Sequence, residues 1–306
     1  MEKNSSESIL IVGTGAMACL LAANLAAAGF RVRMLGSWPE GLAALNNLGV
    51  TLANADGSLR SYPVKASANP QDFVGSHFAL VLVKSWQTER AADQLFDCLA
   101  VDGVALTLQN GLGNREKLIA KLGAERVALG IVRAGATLLG PGQVRSGGNG
   151  IISVASHARV PPLLEMLTKS NFQVETSDNV DSLAWGKLVI NAAMNPLTAL
   201  LGIENGELLK RPLARALWQQ LAAEVAAVAA KKNIVLPFAD PIKAIEDVIL
   251  PTTTNQTSML QDVRRGAPTE IDAINGAVVV AGREVGVPTP INETMWKLIT
   301  SLRGEE

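Results

Sequence analysis

The run ILIVGTGAMACLLAANLAAAG, residues 9–29, constrains this chain more than any other stretch. ILIV is a short β-branched segment ending at Gly13, AMACLLAANLAAA is a helix former stopped by Gly29, and FRVRML resumes as a strand. Residues 9–35 therefore read as one strand–helix–strand unit. At its turn, Gly13, Gly15 and Ala18 fit the pattern G-x-G-x-x-G/A. Gly13 permits the tight turn, Gly15 lets the backbone approach a pyrophosphate, and Ala18 allows close helix–strand packing. The helix N-terminus then offers N–H groups to an anion. A lone motif of this kind also marks ordinary tight turns. After a strand and before a helix it points to dinucleotide binding through Gly13, Thr14, Gly15, Ala16 and Met17.

The same run superficially imitates a secretory leader. Glu2 and Glu7 outweigh Lys3, and Gly13, Gly15 and Asn24 interrupt the apolar stretch, so it reads as folded structure. No other run reaches the roughly 18–20 apolar residues of a membrane span. The formal net charge is −1, with 27 Lys and Arg against 28 Asp and Glu mixed along the sequence. That balance argues against a broad nucleic-acid or anionic-membrane surface. Cys19 and Cys98 form no CxxC pair, and His77 and His157 form no metal-binding cluster, so no metal is expected and a reducing cytoplasm is the natural setting.

Apolar runs at 78–84, 104–110, 126–132 and 150–155 predict further strands of a parallel or mixed sheet with crossover helices. Beyond residue 178 the character changes to alanine- and leucine-rich helical segments, including 211–232 and 269–286. The polar link SDNVDS, residues 177–182, marks the boundary. The expectation is an α/β chain with a doubly wound sheet in residues 1–178 and an all-α domain in 179–306. The alanine-rich helix around 221–230 suits packing within that domain or across a homodimer.

At the end of the second strand an Asp or Glu would bind the 2′-OH of an NAD ribose. Here RMLGSWPE places Gly36 and Ser37. With no carboxylate to repel a 2′-phosphate, and with Ser37 and Arg33 available to contact one, NADP is the expected cofactor.

The stretch WGKLVINAAMNPLTALLG, residues 185–202, is apolar yet carries Lys187, Asn191 and Asn195 at intervals of four. Such positions drift by only about 40° per step on a helix, so they form one polar stripe. Pro196 is expected to disturb the helix there and turn the Asn195 amide toward a cleft. Each polar residue also has a structural reading: Lys187 can lie along the helix and the amides can satisfy buried backbone groups. Trp185, Trp218 and Trp296 read as helix-packing anchors.

Taken in order, GTGAMA, VKSWQT (83–88), QNGLGN (109–114), WGKLVINAAMNPLTALLGIENGEL and NQTSMLQDVRRGAPTEIDAINGAVV resemble the ketopantoate reductase family, the 2-dehydropantoate 2-reductases of pantothenate and coenzyme A synthesis. The resemblance spans almost the whole chain. It implies a Rossmann domain followed by a helical domain of the 6-phosphogluconate dehydrogenase type, with the active site in the cleft between them. It implies that Lys187 is the catalytic lysine and that Glu270 shares the catalytic site. Asn191, Asn195, Asn255 and Ser258 then contact a small 2-oxo acid, and Lys84 and Asn110 line the site near NADPH and substrate. Many members carry Arg where this chain has Ser37, a departure that puts the preference for NADPH over NADH in question.

The implied reaction is NADPH-dependent reduction of 2-dehydropantoate to (R)-pantoate. A lysine suits it as general acid when neighbours and partial burial bring its pKa toward working pH. Two alternatives stay open on the residues alone. One is a related NAD(P)-dependent dehydrogenase of another small 2-oxo or 3-hydroxy acid; the other is a non-catalytic NADP-binding regulator.

Overall fold

Along the first strand, Ile9 and Ile11 enter one apolar cluster and Leu10 and Val12 another, and all four are buried. A strand buried on both faces reads as a continuous apolar run, which is why ILIV lacks the alternation of a half-exposed strand. The computed structural model describes residues 8–54, 56–148 and 150–302. The chain divides into two units, Met1–Gln109 with Asn114–Val180, and Asn110–Gly113 with Asp181–Glu306.

The first unit runs β1 (Ser8–Val12), α1 (Ala16–Ala27), β2 (Arg31–Leu35), α2 (Pro39–Leu48), β3 (Val50–Ala53), β4 (Leu59–Tyr62), β5 (Lys65–Ser67), β6 (Ser76–Val81), α3 (Thr88–Cys98) and β7 (Leu99–Thr107). It continues through α4 (Asn114–Leu122), β8 (Val127–Arg133), β9 (Ala136–Gly140), β10 (Gln143–Ser146), β11 (Ile151–Ala155), α5 (Pro161–Lys169) and β12 (Gln173–Ser177). The main sheet has the order β12-β11-β8-β7-β6-β1-β2-β5. Its pairs are parallel except β11 with β8, so the sheet is mixed. β1 lies between β2 and β6, a point where the winding reverses and where open sheets bind ligands beyond their carboxyl ends. A second sheet of order β4-β3-β10-β9, not foreseen from the sequence, packs on the far side of α1. α1 is therefore covered from both sides, and seven of its twelve residues are buried.

The second unit is helical: α6 (Val180–Leu201, its first residue counted with the sheet), α7 (Glu207–Lys210), α8 (Pro212–Lys231), α9 (Pro241–Ile249), α10 (Ser258–Arg264), α11 (Ala277–Val285) and α12 (Pro290–Ser301). Its core gathers Trp185, Leu188 and Val189 of α6 with Trp218, Leu221 and Val225 of α8 and Ile274, Val278 and Ile299. Trp185 and Trp218 are buried anchors; Trp296 is half-buried and its Nε1 donates to Asp272 Oδ1 at 2.7 Å. The segment expected as one helix over 269–286 is instead a π-helical turn, Asp272–Gly276, followed by α11. No described helix is long and apolar enough to cross a membrane.

Candidate functional site

In the first unit, the glycine loop closes at the carboxyl end of β1. Gly13 has φ +131°, a conformation that L side chains avoid, and a Cβ there would stand 3.0 Å from the Leu82 carbonyl oxygen. Its N–H donates to the Leu35 carbonyl at 2.8 Å. Thr14 is buried, while Gly15 is exposed and caps α1 with φ −80°. A Cβ on Gly15 would meet nothing within 4 Å, so the space beside this glycine is open and leaves room for a ligand. No acidic residue occupies the first turn of α1, where Ala16 and Met17 lie half-buried. A pyrophosphate fits this arrangement of open backbone and unopposed helix dipole.

Gly36 and Ser37 follow β2. A Cβ on Gly36 would come within 2.5 Å of Thr14 Cγ2, so this glycine lets the loop pack, and a side chain at 36 would have to displace that of Thr14. Ser37 is exposed. Arg33 does not accompany it. Its Nη2 donates to Ser8 Oγ at 3.2 Å and its guanidinium lies 5.9 Å from the Phe73 ring centre. Ser8 begins β1, whereas Gly13 follows its end, so Arg33 reaches toward the amino ends of the strands, away from the glycine loop, and the expected contact with a 2′-phosphate is corrected. Burial, followed by repulsion from Arg31, lowers the Arg33 pKa from its usual range.

Lys84 lies three residues beyond β6, half-buried, at the start of the 3₁₀ turn Ser85–Gln87. A buried polar network fixes this turn. Gln109 Nε2 donates to the Val83 carbonyl at 3.0 Å and to Thr88 Oγ1 at 2.8 Å, while Gln109 Oε1 accepts from Thr107 Oγ1 at 2.9 Å. Thr88 Oγ1 is also 2.8 Å from both the Ser85 carbonyl and Asn114 Oδ1. Gln109 and Asn114 flank the four residues, Asn110–Gly113, that group with the helical unit.

In that second unit, Asn110 Nδ2 donates to Glu270 Oε2 at 3.2 Å. The Leu112 N–H donates to the Ala273 carbonyl at 2.9 Å. Between them Gly111, at φ +81°, would press a Cβ to 2.2 Å from the same carbonyl oxygen, so only glycine fits. Glu270 is buried, 5% exposed, two residues before the π-helical turn. Single π turns recur at functional sites because the widened turn re-aims groups on either side.

Lys187, Asn191 and Asn195 share one face of α6; the first two are half-buried and Asn195 is buried. Gly186 lets Pro237 pack against the helix beside Lys187, since a Cβ there would stand 2.5 Å from Pro237 Cγ. The expectation that Pro196 disturbs the helix is overturned: α6 continues through it to Leu201. The physical reason is a donor from elsewhere. Pro196 has no N–H for the Ala192 carbonyl, and Asn275 Nδ2 supplies one at 3.0 Å.

Ser258 is exposed at the first position of α10, behind Thr257, whose hydroxyl caps the helix by accepting from the Leu260 N–H at 3.3 Å. Thr257 Oγ1 and Thr198 Oγ1 are 2.8 Å or less apart, at 2.7 Å, in buried surroundings. This bond seats the start of α10 against α6 one turn beyond Asn195. Asn255 is exposed, and its carbonyl accepts from the Asn205 N–H at 3.0 Å. The sequence reading missed Asn205. It is 6% exposed, its Nδ2 donates to Thr252 Oγ1 at 3.1 Å, and its buried Oδ1 has no partner among the described residues. The signal for it was the polar Asn–Gly pair just past α6.

Comparison with known proteins identifies the family. The sequence model of the family described as ketopantoate reductase PanE/ApbA matches residues 9–159, and the model of its C-terminal domain matches residues 179–303. The 2-dehydropantoate 2-reductase of Archaeoglobus fulgidus is 31% identical over 96% of this chain and 97% of its own. A PanE/ApbA family ketopantoate reductase from Ralstonia eutropha JMP134 superposes with a TM-score of 0.90 at 31% identity, covering 97% of this chain and 98% of its own. D-mandelate dehydrogenase, solved with NADH and anilino(oxo)acetate, also reaches 0.90, at 26% identity over 97% and 98% of the two chains. With the glycine loop in one unit, the Lys187 stripe and Glu270 in the other, and family matches in both, the chain belongs to the ketopantoate reductase family of oxidoreductases.

Proposed function

We propose that the protein reduces 2-dehydropantoate to (R)-pantoate with NADPH, in the supply of pantothenate for coenzyme A. The observation that carries this reading is that one helical unit holds both a half-buried lysine and asparagine on one helix face and a buried carboxylate bonded by Asn110. A nucleotide-binding regulator has no use for that second set. The glycine loop and the open space over Gly15 support a dinucleotide as cofactor, with Gly13, Thr14, Gly15, Ala16 and Met17 as its cradle and Lys84 beside it. Residues 1–178 then form the nucleotide-binding domain and 179–306 the catalytic one.

A reduced nicotinamide held by the glycine loop would supply hydride for the substrate carbonyl carbon. As hydride arrives, negative charge grows on the carbonyl oxygen, and the Lys187 ammonium stabilises it and delivers a proton from Nζ. Asn191, Asn195, Asn255 and Ser258 can donate hydrogen bonds to the substrate carboxylate and hydroxyl without adding charge. Glu270 can only accept; the Asn110 amide takes one of its oxygens and orients the other.

NADPH is favoured because neither Gly36 nor Ser37 opposes a 2′-phosphate, although Arg33 gives no help there. That orientation, together with the NADH-bound D-mandelate dehydrogenase among similar structures, favours as second reading an NADH-dependent enzyme acting on a bulkier 2-oxo acid. Loss of reduced-nicotinamide absorbance, followed with 2-dehydropantoate and with the 2-oxo acid of mandelate, separates the two when NADPH and NADH are run in parallel. The first reading expects 2-dehydropantoate with NADPH to dominate. Absence of turnover with every combination, in protein shown to bind nucleotide, removes the reductase assignment.

A further inference from the structure

Asn275 is fully buried in the π-helical turn Asp272–Gly276, and both N–H groups of its amide are used. One donates to the Ala192 carbonyl at 3.0 Å, the other to Asn292 Oδ1 at 2.9 Å. Asn292, equally buried, donates through Nδ2 to the Leu221 carbonyl at 3.3 Å and to Glu224 Oε2 at 2.8 Å. The Glu224 carboxylate also accepts from the Ile291 and Asn292 N–H groups, both at 2.9 Å, at the start of α12. The chain of bonds thus runs from α6 through the π turn to α12 and α8.

Ala192 is the residue whose helical partner would be the N–H of residue 196, and residue 196 is proline. A proline ring also crowds the carbonyl four residues before it. Asn275 Oδ1 has no partner among the described residues, so the amide is oriented by its donors. A buried carbonyl left unmade would cost about 1–3 kcal/mol, enough to explain why a donor stands there.

We propose that Asn275 is a positioning residue. It replaces the N–H that Pro196 lacks and ties the turn of α6 bearing Asn191 and Asn195 to the segment bearing Glu270. The proposal rests on the reading of those residues as the reductase site. Two further bonds make the π turn a clamp: Ala273 holds Leu112 through its carbonyl, and Trp296 holds Asp272. Asn275 is the member of this clamp that reaches α6.

The test is a double-mutant cycle with Asn275→Leu and Pro196→Ala, read by urea denaturation and by steady-state kinetics of the purified full-length protein. Pro196→Ala restores an N–H to the Ala192 carbonyl. Asn275→Leu is therefore expected to lower the folding equilibrium constant about 10-fold more in the parental protein than in combination with Pro196→Ala. It should also lower kcat about 10-fold with nucleotide Kd unchanged, and addition of Pro196→Ala should recover about threefold of that loss. If Asn275→Leu does not fold, the double variant must. Additive effects on folding, failure of both variants to fold, or a folded Asn275→Leu protein with parental kcat overturns the proposal. A parent lacking turnover on every 2-oxo acid defeats the functional reading instead, and the denaturation cycle then decides whether Asn275 holds α6.

Discussion

Asn110 Nδ2 donates to Glu270 Oε2 at 3.2 Å, joining residues 160 positions apart in the sequence. Glu270 is only 5% exposed, so water is a poor substitute for that donor. Hydrogen bonds to charged groups contribute about 1.5–3 kcal/mol, and Asn110→Ala should lower stability by about that amount in urea denaturation. Asn110→Asp should lower it further, because it sets a second carboxylate against the first. Equal stabilities for the parent and both variants would contradict the role given to this bond.

Gly111 and Gly113 provide a matched pair. Both have positive φ, +81° and +87°, but a Cβ on Gly111 meets the Ala273 carbonyl oxygen at 2.2 Å whereas one on Gly113 meets nothing within 4 Å. Gly113→Ala should cost about 1–2 kcal/mol, the left-handed conformation alone. Gly111→Ala must also displace the π turn and should cost clearly more, with loss of turnover. Similar denaturation midpoints for the two variants would mean that the loop does not sit on Ala273.

The glycine loop makes a different contrast. Gly15→Ala introduces a Cβ into open space at φ −80°, so folding should be nearly unchanged while nucleotide Kd rises by about 10-fold or more. Gly13→Ala, at φ +131° against the Leu82 carbonyl, should instead destabilise the sheet unit. Thermal unfolding together with nucleotide titration distinguishes them. Unchanged affinity in Gly15→Ala would remove the pyrophosphate from this loop.

Burial pushes the Cys19 thiol up to about 12 and the Cys98 thiol up to about 11. Unfolded cysteine ionises near 8.5. Both pKa values are raised in the folded state, so the unfolded chain loses these protons first. Their contribution to stability is complete below about pH 8.5 and falls as pH rises toward the folded values. Neither thiol should react with a disulfide reagent at pH 8 in native protein, and both should react in urea. Fast modification of the native protein would contradict their burial.

How much of this was legible beforehand depended on whether the cause was local. ILIV followed by GTGAMA carries its strand, turn and helix in ten consecutive residues, and the α6 stripe follows from spacing by four. The small sheet escaped notice because LRSY and QVRS are short and largely uncovered, with no apolar run to mark them. Pro196 was read as a helix breaker because its compensating donor, Asn275, lies far along the chain. Arg33 was assigned to the nucleotide from its nearness in sequence to Ser37, whereas its guanidinium extends to Ser8 on the neighbouring strand. Gly111 carries no local signal of its role, because the group that requires it, the carbonyl of Ala273, lies far along the chain.

The central claim is that Lys187 delivers the proton during reduction of a 2-oxo acid. The most direct measurement is kcat for 2-dehydropantoate reduction by Lys187→Ala beside the parent, with folding and nucleotide binding verified in both. General acid catalysis contributes about 10²–10⁴-fold, so kcat should fall by at least about 100-fold while nucleotide affinity is kept. A Lys187→Ala protein that turns over at a near-parental rate contradicts the account.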